Sequence, residues 1–425
     1  MSLLINLRGN MNLVLSILIY FIPLTIITGP FIPDLLTSLS ALLFIIISFK
    51  KKLTKYYNNT FVKCFLLFIL YIIINSLISN EPIFSLKSSL FYFRFGLLAL
   101  AIWYLIDNNR NFIRYFFYAL SLCFIISIID GYYQYLFDIN LFGISSPGNR
   151  LNLLLNDRRS LGIVLSRLFP LLLALYIYLY YHKNSKKYII LLPLMFFIVT
   201  DILIFLTGER TAIALLFISA LFIILHSNKF KILRLISIFL SILIMIFITI
   251  VSPQIKERNI DHTLEQTGFS SNDGNYKFLS NEHHSLAVTA LNAFIDKPIV
   301  GHGPNMFRKF CNNHKYLYDH RSCSTHPHNI YLQVISELGL VGLMFVVFLV
   351  YLVAKISIFQ LYYLYFKNDS YISDYQMCLV CSFLLPLIPF LPSLNFFNNW
   401  HSIIIFLPLG FLLHGFYKIK DTNNQ

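Results

Sequence analysis

The chain is poor in charge: Asp, Glu, Lys and Arg make up 12% of 425 residues, about half the usual share of roughly 25%. That scarcity excludes a disordered, solvated polypeptide. Cysteine is scarce too, six in all, which excludes a small disulfide framework. No GxxxxGK segment is present to cradle phosphate, so transport driven by ATP within this chain alone is not expected. There is no internal repeat and no low-complexity tract. Acidic residues number 19 against 33 basic, a formal net charge of +14. The basic residues are scattered rather than gathered into one module, so nucleic acid is not an expected partner.

Apolar surface is what the sequence has in excess. Hydrophobic residues reach 57% and mean hydropathy is +0.69. So few charges cannot cover that much apolar area in water, and a bilayer is the matching solvent. A helix needs about 20 apolar residues to cross the hydrocarbon. Such runs occur at about 10–29, 33–49, 62–79, 90–106, 112–130, 160–181, 187–206, 211–226, 232–251, 330–354, 375–391 and 399–418. They lack the period-two alternation of a porin strand, and lipid leaves open backbone groups unsatisfied. The fold class is therefore an all-α polytopic membrane protein of about twelve transmembrane helices. The first run is not a cleavable signal, because its apolar core is long, no small-residue cleavage site follows and spans continue. Residues 1–251 hold spans one to nine, 252–329 form a large loop with an amphipathic helix, and 330–425 hold the last three spans and a short tail.

Lysine sets the orientation. Lys50, Lys51, Lys52, Lys55, Lys63, Lys183, Lys186, Lys187, Lys229, Lys231, Lys355, Lys367, Lys418 and Lys420 fall on one set of loops and the tail. Hairpins near 30, 80 and 392–398 hold only Lys87. By the positive-inside rule both termini are cytoplasmic and the large loop is outside; anionic lipid headgroups are the partners of the inner lysines. Arginine runs the other way. Nine of the thirteen map to the outer side: Arg94, Arg150, Arg158, Arg159, Arg167, Arg210, Arg258, Arg308 and Arg321. Translocated loops that ignore the charge rule explain Arg258 well, but Arg94, Arg167 and Arg210 stand at outer membrane ends beside apolar runs. Arginine binds phosphate bidentately and stays charged when partly buried, so these point to an anion site.

The densest polar signal is Ser324-Thr325-His326-Pro327-His328-Asn329, followed by Gln333 and Glu337 at i,i+4 on one helix face. Polar groups at a membrane edge mark a site by default. A neutral imidazole takes a proton from an acceptor hydroxyl, while guanidiniums hold a pyrophosphate and its charge on departure. That chemistry needs no metal and no cofactor. The plainer reading is that the histidines cap the helix and Glu337 links two helices. Thr207-Gly208-Glu209-Arg210-Thr211 forms a tight turn in which Arg210 and the next helix's free amides face outward; alternatively, Glu209 and Arg210 neutralise each other. Asn156-Asp157-Arg158-Arg159, then Arg167, is a further cluster. Cys311 and Cys323 lie twelve apart in the outer loop, where an oxidising compartment favours a disulfide. The rival, a zinc site drawing also on His314, His320, His326 and His328, matches no compact zinc spacing.

These pieces resemble the O-antigen ligase and polymerase superfamily of bacterial envelope glycan enzymes. The resemblance rests on NDRRSLGIVLSRLFP, LTGERTAIALL, ALNAFIDKPIVGHGPNMFRKFC and, most specifically, STHPHNIYLQVISELGLVGL, which is similar to a His-x-His-Asn-x-x-Leu-Gln...Glu-x-Gly-x-x-Gly signature. It covers about 150–350 and is topological elsewhere. The resemblance implies a glycan transferase of the bacterial inner membrane, with its active site in the periplasm. Its donor would be an undecaprenyl-pyrophosphate-linked glycan and its acceptor a lipid A–core or another carrier-linked chain. It makes His328 the base, with His326 beside it, and Arg210 a pyrophosphate ligand. Arg158, Arg159, Arg167, Arg308, Arg321, Asn329, Gln333 and Glu337 are then candidates for holding substrate. A second arginine is implied upstream of the Gly-x-Gly turn. This chain has His283-His284 there, leaving Arg308 or Arg321 as substitutes. A polysaccharide or lipid exporter and a structural membrane subunit are the other classes; an exporter should show polar access on both faces and an internal repeat.

Overall fold

The computed structural model describes residues 2–145, 150–155, 158–181, 188–228, 230–267 and 280–423. Asn156, Asp157 and most of the polar stretch before Ser280 lie outside them. The helices that matter here are α1 (Ser2–Ile26), α2 (Phe31–Lys51), α3 (Thr60–Leu77), α4 (Pro82–Ser89), α5 (Phe93–Asn108), α6 (Phe112–Phe137), α7 (Leu161–Tyr176), α8 (Tyr188–Leu206), α9 (Arg210–His226), α10 (Lys231–Val251), α11 (Asn281–Asp296), α12 (Ile330–Tyr362), α13 (Asp374–Leu384) and α14 (Asn399–Asn423). Each expected span is answered by one of them, with α4 and α11 as additions outside the set. Among the described residues, eight helices are long and apolar enough to cross a membrane, and four more apolar helices are shorter. No strand occurs among these residues. The protein is an all-α polytopic membrane protein.

Local chemistry explains where spans depart from the apolar runs. The run 375–391 stops being α-helical at Leu384, because Pro386, Pro389 and Pro392 supply no amide for a continuing ladder. Helix α4 starts on Pro82, a residue suited to a first turn. It is held by serines: Ser85 Oγ donates to Ser76 Oγ at 3.0 Å, and Ser89 Oγ lies 2.7 Å from Ser76 Oγ. Helices α7 and α14 are mostly buried at the centre, whereas α10 presents most of its surface outward. There Phe247 and Ile250 are exposed, as lipid-facing residues should be. Gly410 of α14 lets the backbone approach α5: a Cβ there would lie 2.7 Å from the Ala99 carbonyl oxygen.

One ion pair is sealed inside the bundle. Arg234 donates Nη1–H to Asp201 Oδ2 at 2.7 Å and Nη2–H to Asp201 Oδ1 at 3.1 Å, and both side chains are fully buried. Ser241 also donates to Asp201, and the guanidinium stacks over Phe169 at 5.1 Å. Two-pronged geometry with additional donors is what makes a charge pair tolerable away from water.

Helix α12 is interrupted at Gly339, whose φ of 62° and ψ of −162° suit glycine almost alone. The strap Pro298–Gly303, running from the end of α11, fills the break. Leu340 and Val341 donate their amides to the Pro298 and Ile299 carbonyls at 2.8 and 3.2 Å. In return, His302 and Gly303 donate to the Ser336 and Glu337 carbonyls at 3.1 and 2.8 Å. From α3, Tyr71 donates to the Leu338 carbonyl and Asn75 to that of Val300. Residues 330–338 thus form a separate cap helix. The stretch after Gly339 is about 34 Å long at 1.5 Å per residue, enough to cross the membrane by itself. Gly339→Ala would push a Cβ into the Ile299 carbonyl and force a strained φ. It is expected to destabilise the protein by about 1–3 kcal/mol or more, read as a lowered thermal midpoint in detergent and faster proteolysis of the strap.

Candidate functional site

The cap helix and strap carry a buried polar lattice. Glu337 is fully buried and accepts the amides of Asn305 and Phe307, both at 2.9 Å. Gln333 Nε2 donates to Glu337 Oε2 and to Asn395 Oδ1, each at 3.0 Å, while Gln333 Oε1 accepts the Phe396 amide at 2.8 Å. Asn395 donates to Asn305 Oδ1 at 3.0 Å. Gln333 and Glu337 therefore knit the outer loop at 305–307 to the hairpin at 395–396. The i,i+4 pair faces inward, and the hydrogen bonds it makes go to protein.

On this frame sits the histidine segment. Asn329 caps α12, its Oδ1 accepting the Tyr331 and Leu332 amides at 2.9 and 3.1 Å, and its Nδ2 donating to the Pro389 carbonyl at 2.6 Å. The preceding residue, His328, is held at φ 53°, a left-handed conformation uncommon outside glycine. Its carbonyl accepts the Ser393 amide at 2.7 Å, which pins the turn. His326 and His328 face each other with ring centroids 4.2 Å apart, but their situations differ. His326 is 5% exposed, and both ring nitrogens are engaged: Nε2 to the Ser393 carbonyl at 3.0 Å and Nδ1 to Thr325 Oγ1 at 3.0 Å. Burial, with His328 and Arg308 adding to it, pushes His326 down to about 3, so it is neutral at physiological pH. His328 is half-buried and pairs only Nε2, with Ser324 Oγ at 3.3 Å. It lines a cavity of about 150 Å³ with His283, Asn329, Leu332 and the proline-rich turn Pro389–Pro392. Of the two imidazoles, His328 is the one with a nitrogen to spare. A disulfide between Cys311 and Cys323 ties this segment to the Phe307–Phe310 turn.

The arginines divide by environment. In the turn before α9, Glu209 looks away from Arg210: its Oε1 accepts the Gly162 amide at 2.7 Å and so caps α7. Gly208, at φ 66°, makes the reversal, and its carbonyl accepts Arg258 Nε at 3.3 Å. Arg210 is thereby left unneutralised by Glu209. Burial depresses the Arg258 guanidinium, and repulsion from Arg150, Arg210 and Arg159 adds to this, so these four cations share one neighbourhood. Arg210 also acts on His283, which joins this cluster to the cavity. Arg158 is exposed beside Arg159. Arg167 is elsewhere: it is 2% exposed and donates Nη1–H to His401 Nδ1 at 2.7 Å, joining α7 to α14 inside the bundle. Arg308 donates to Asn305 Oδ1 at 2.9 Å and stands on the His326 side. Arg321 is tied to Asp319 at 3.2 Å and is exposed. Arg94 pairs with Asp34 at 2.6 Å.

The structure thus places His328 and Asn329 in the lining of one cavity, with His326 packed beside His328 and Arg210 close enough for its charge to act on His283 in that lining. It turns Gln333, Glu337 and Arg167 to internal bonds, and leaves Arg321 apart. Sequence reasoning passed over three participants. His283 was visible as an oddity but was not placed. Asn395 sits in a hairpin read as a plain reversal. His401 opens a span read only for its apolar content; its significance comes from Arg167, 234 residues away in the chain.

Residues 194–347 match the family model described as O-Antigen ligase. No curated protein matches the chain.

The disulfide closes a short loop against the histidine segment, a constraint worth about 3 kcal/mol in the chain-entropy view. Replacing both cysteines by serine is expected to loosen residues 311–328 and lower the melting midpoint. Hydrogen exchange should rise there first, while the spans stay protected.

Proposed function

With residues 194–347 marking it as a member of the O-antigen ligase superfamily, we propose that the protein transfers a glycan from an undecaprenyl-pyrophosphate carrier to a lipid A–core or other periplasmic acceptor. The observation that carries the proposal is an imidazole with an unengaged nitrogen, His328, lining a cavity with His283, on which the charge of Arg210 acts; among the described residues Arg210 has no carboxylate partner. In the tautomer whose Nε2–H donates to Ser324 Oγ, the Nδ1 lone pair of His328 is the base. The acceptor hydroxyl oxygen attacks the anomeric carbon and its proton passes to that nitrogen. The bond from the anomeric carbon to the pyrophosphate oxygen breaks, and the electron pair leaves with the carrier pyrophosphate. Arg210, with Arg150, Arg159 and Arg258 around it, stabilises the charge that develops there. His326, neutral and bonded at both nitrogens, fixes the ring plane of His328. One displacement inverts the anomeric centre. Histidine and arginine supply both functions, so the scheme asks for no metal.

The lysine distribution supports an inner-membrane location with cytoplasmic termini and the site on the periplasmic face. A polymerase that extends a carrier-linked chain would use the same donor end. The mass of the product formed with two competing acceptors separates it from a ligase, and an exporter would form no product.

His328→Ala is expected to lower turnover by about 10²–10⁴-fold, as loss of a general base does. Arg210→Ala should lower it by about 10²–10³-fold, as loss of a preorganised charge partner does. Both should leave membrane insertion intact. Burial, with His283 beside it, lowers His328 below the ordinary 6.5. The base therefore remains neutral, and activity persists, to a lower pH than a free imidazole would allow. Full turnover in both variants would remove the assignment.

A further inference from the structure

We infer that His283 is a further cation that holds the donor's diphosphate beside Arg210, so that this chain grips its donor partly through an imidazole. The inference rests on the transfer reaction proposed above and assigns a residue within that same site.

Placement carries the argument. His283 stands in the first turn of α11, and its Nδ1 lies 2.6 Å from the hydroxyl of Ser280, the residue that caps the helix. Its ring meets His328 edge-on, with centroids 5.8 Å apart, and both rings line the same cavity. Arg210 is near enough for its charge to act on His283. The cavity is therefore lined by the base and, in edge-on contact with it, a second imidazole on which the charge of a guanidinium acts. A diphosphate placed for departure under attack at His328 meets His283 and Arg210 together.

Arg150, Arg159 and Arg258 cluster with Arg210, whereas four other basic residues are engaged elsewhere. Arg308 is bonded to Asn305, and Arg321 is paired with Asp319. Arg167 is committed to His401 inside the bundle. His284, the neighbour on the same helix, packs edge-on against Tyr318 at 5.5 Å.

The chemistry follows from the Ser280 contact. As an imidazolium, His283 donates Nδ1–H to the serine oxygen and keeps Nε2–H for a phosphate oxygen. The charged groups facing it are Glu282 on its own helix, Arg210 at the start of α9 and His328 from the histidine segment. Burial and Arg210 disfavour its charge and Glu282 favours it, so the empty site holds His283 below the usual imidazole range. Two incoming phosphate charges reverse that preference, and donor binding takes up a proton. A charged His283 in turn disfavours protonation of the adjoining His328. The two rings then occupy opposite states, one cationic to hold and one neutral to accept.

The test is equilibrium binding of an undecaprenyl-pyrophosphate monosaccharide to the purified full chain at pH 6 and pH 8. This donor is a diphosphate diester and does not itself titrate in that interval. The wild type is expected to bind about tenfold more tightly at pH 6, a difference of about 1.4 kcal/mol. His283→Arg should bind tightly at both pH values, and His283→Gln weakly at both. His328→Gln should lose turnover yet keep the tenfold difference, and His284→Gln should behave as wild type. Equal wild-type affinity at the two pH values, or His283→Gln indistinguishable from wild type, would overturn the assignment of His283 while leaving the transferase reading in place. Absence of donor binding by the wild type at either pH would overturn the transferase reading itself.

Discussion

A helix broken beside a membrane must find partners for the amides and carbonyls it frees, and the rest of this site is arranged around that requirement. Gly339 breaks α12, and the strap Pro298–Gly303 supplies the missing partners in both directions. Once the strap is bonded there, its continuation places Asn305 and Phe307 over Glu337. Gln333 then draws in the hairpin around Asn395. The histidine segment is suspended between these two anchored loops, its orientation set by hydrogen bonds to backbone groups. Position is thus transmitted from a single interrupted turn to an imidazole more than ten residues away in the chain.

The charges are sorted by how much water each can keep. Arg234 and Asp201 have none, and they satisfy each other with two hydrogen bonds. Arg167 is almost as buried but leans on a histidine, His401. Arg150, Arg159, Arg210 and Arg258 remain near the surface, where their mutual repulsion is bearable and an anion would relieve it. The architecture thus gathers four clustered arginines where a negatively charged ligand can arrive.

Most of the fold was legible because span length and hydropathy are imposed by the bilayer, which acts on each segment alone. Helix α4 escaped notice because serines hold it, and serine carries no apolar signal. The Gly-Leu-Val-Gly run lies inside an apolar stretch that reads as one continuous span, and nothing local announces the strap that fills its break. Near the site, residue types were readable and roles were not. His326 and His328 look alike in sequence; only the Ser393 carbonyl and Thr325 hydroxyl, which take both nitrogens of His326, tell them apart. For Glu209 and Arg210 the sequence favours an outward anion-binding arginine over a neutral pair, and it is the Gly162 amide that shows where the carboxylate points. Such distinctions depend on partners distant in the chain, and no local pattern encodes them.

The contact between Arg167 and His401 also fastens distant parts of the chain. Helix α14 is translated after every other described helix, yet it brings the acceptor for a guanidinium buried in α7, and its Trp400 indole donates to the Ile26 carbonyl of α1 at 3.0 Å. Two distant helices are thereby fastened to α14 by single polar contacts, so a break in α14 would unlatch α7 and α1 together.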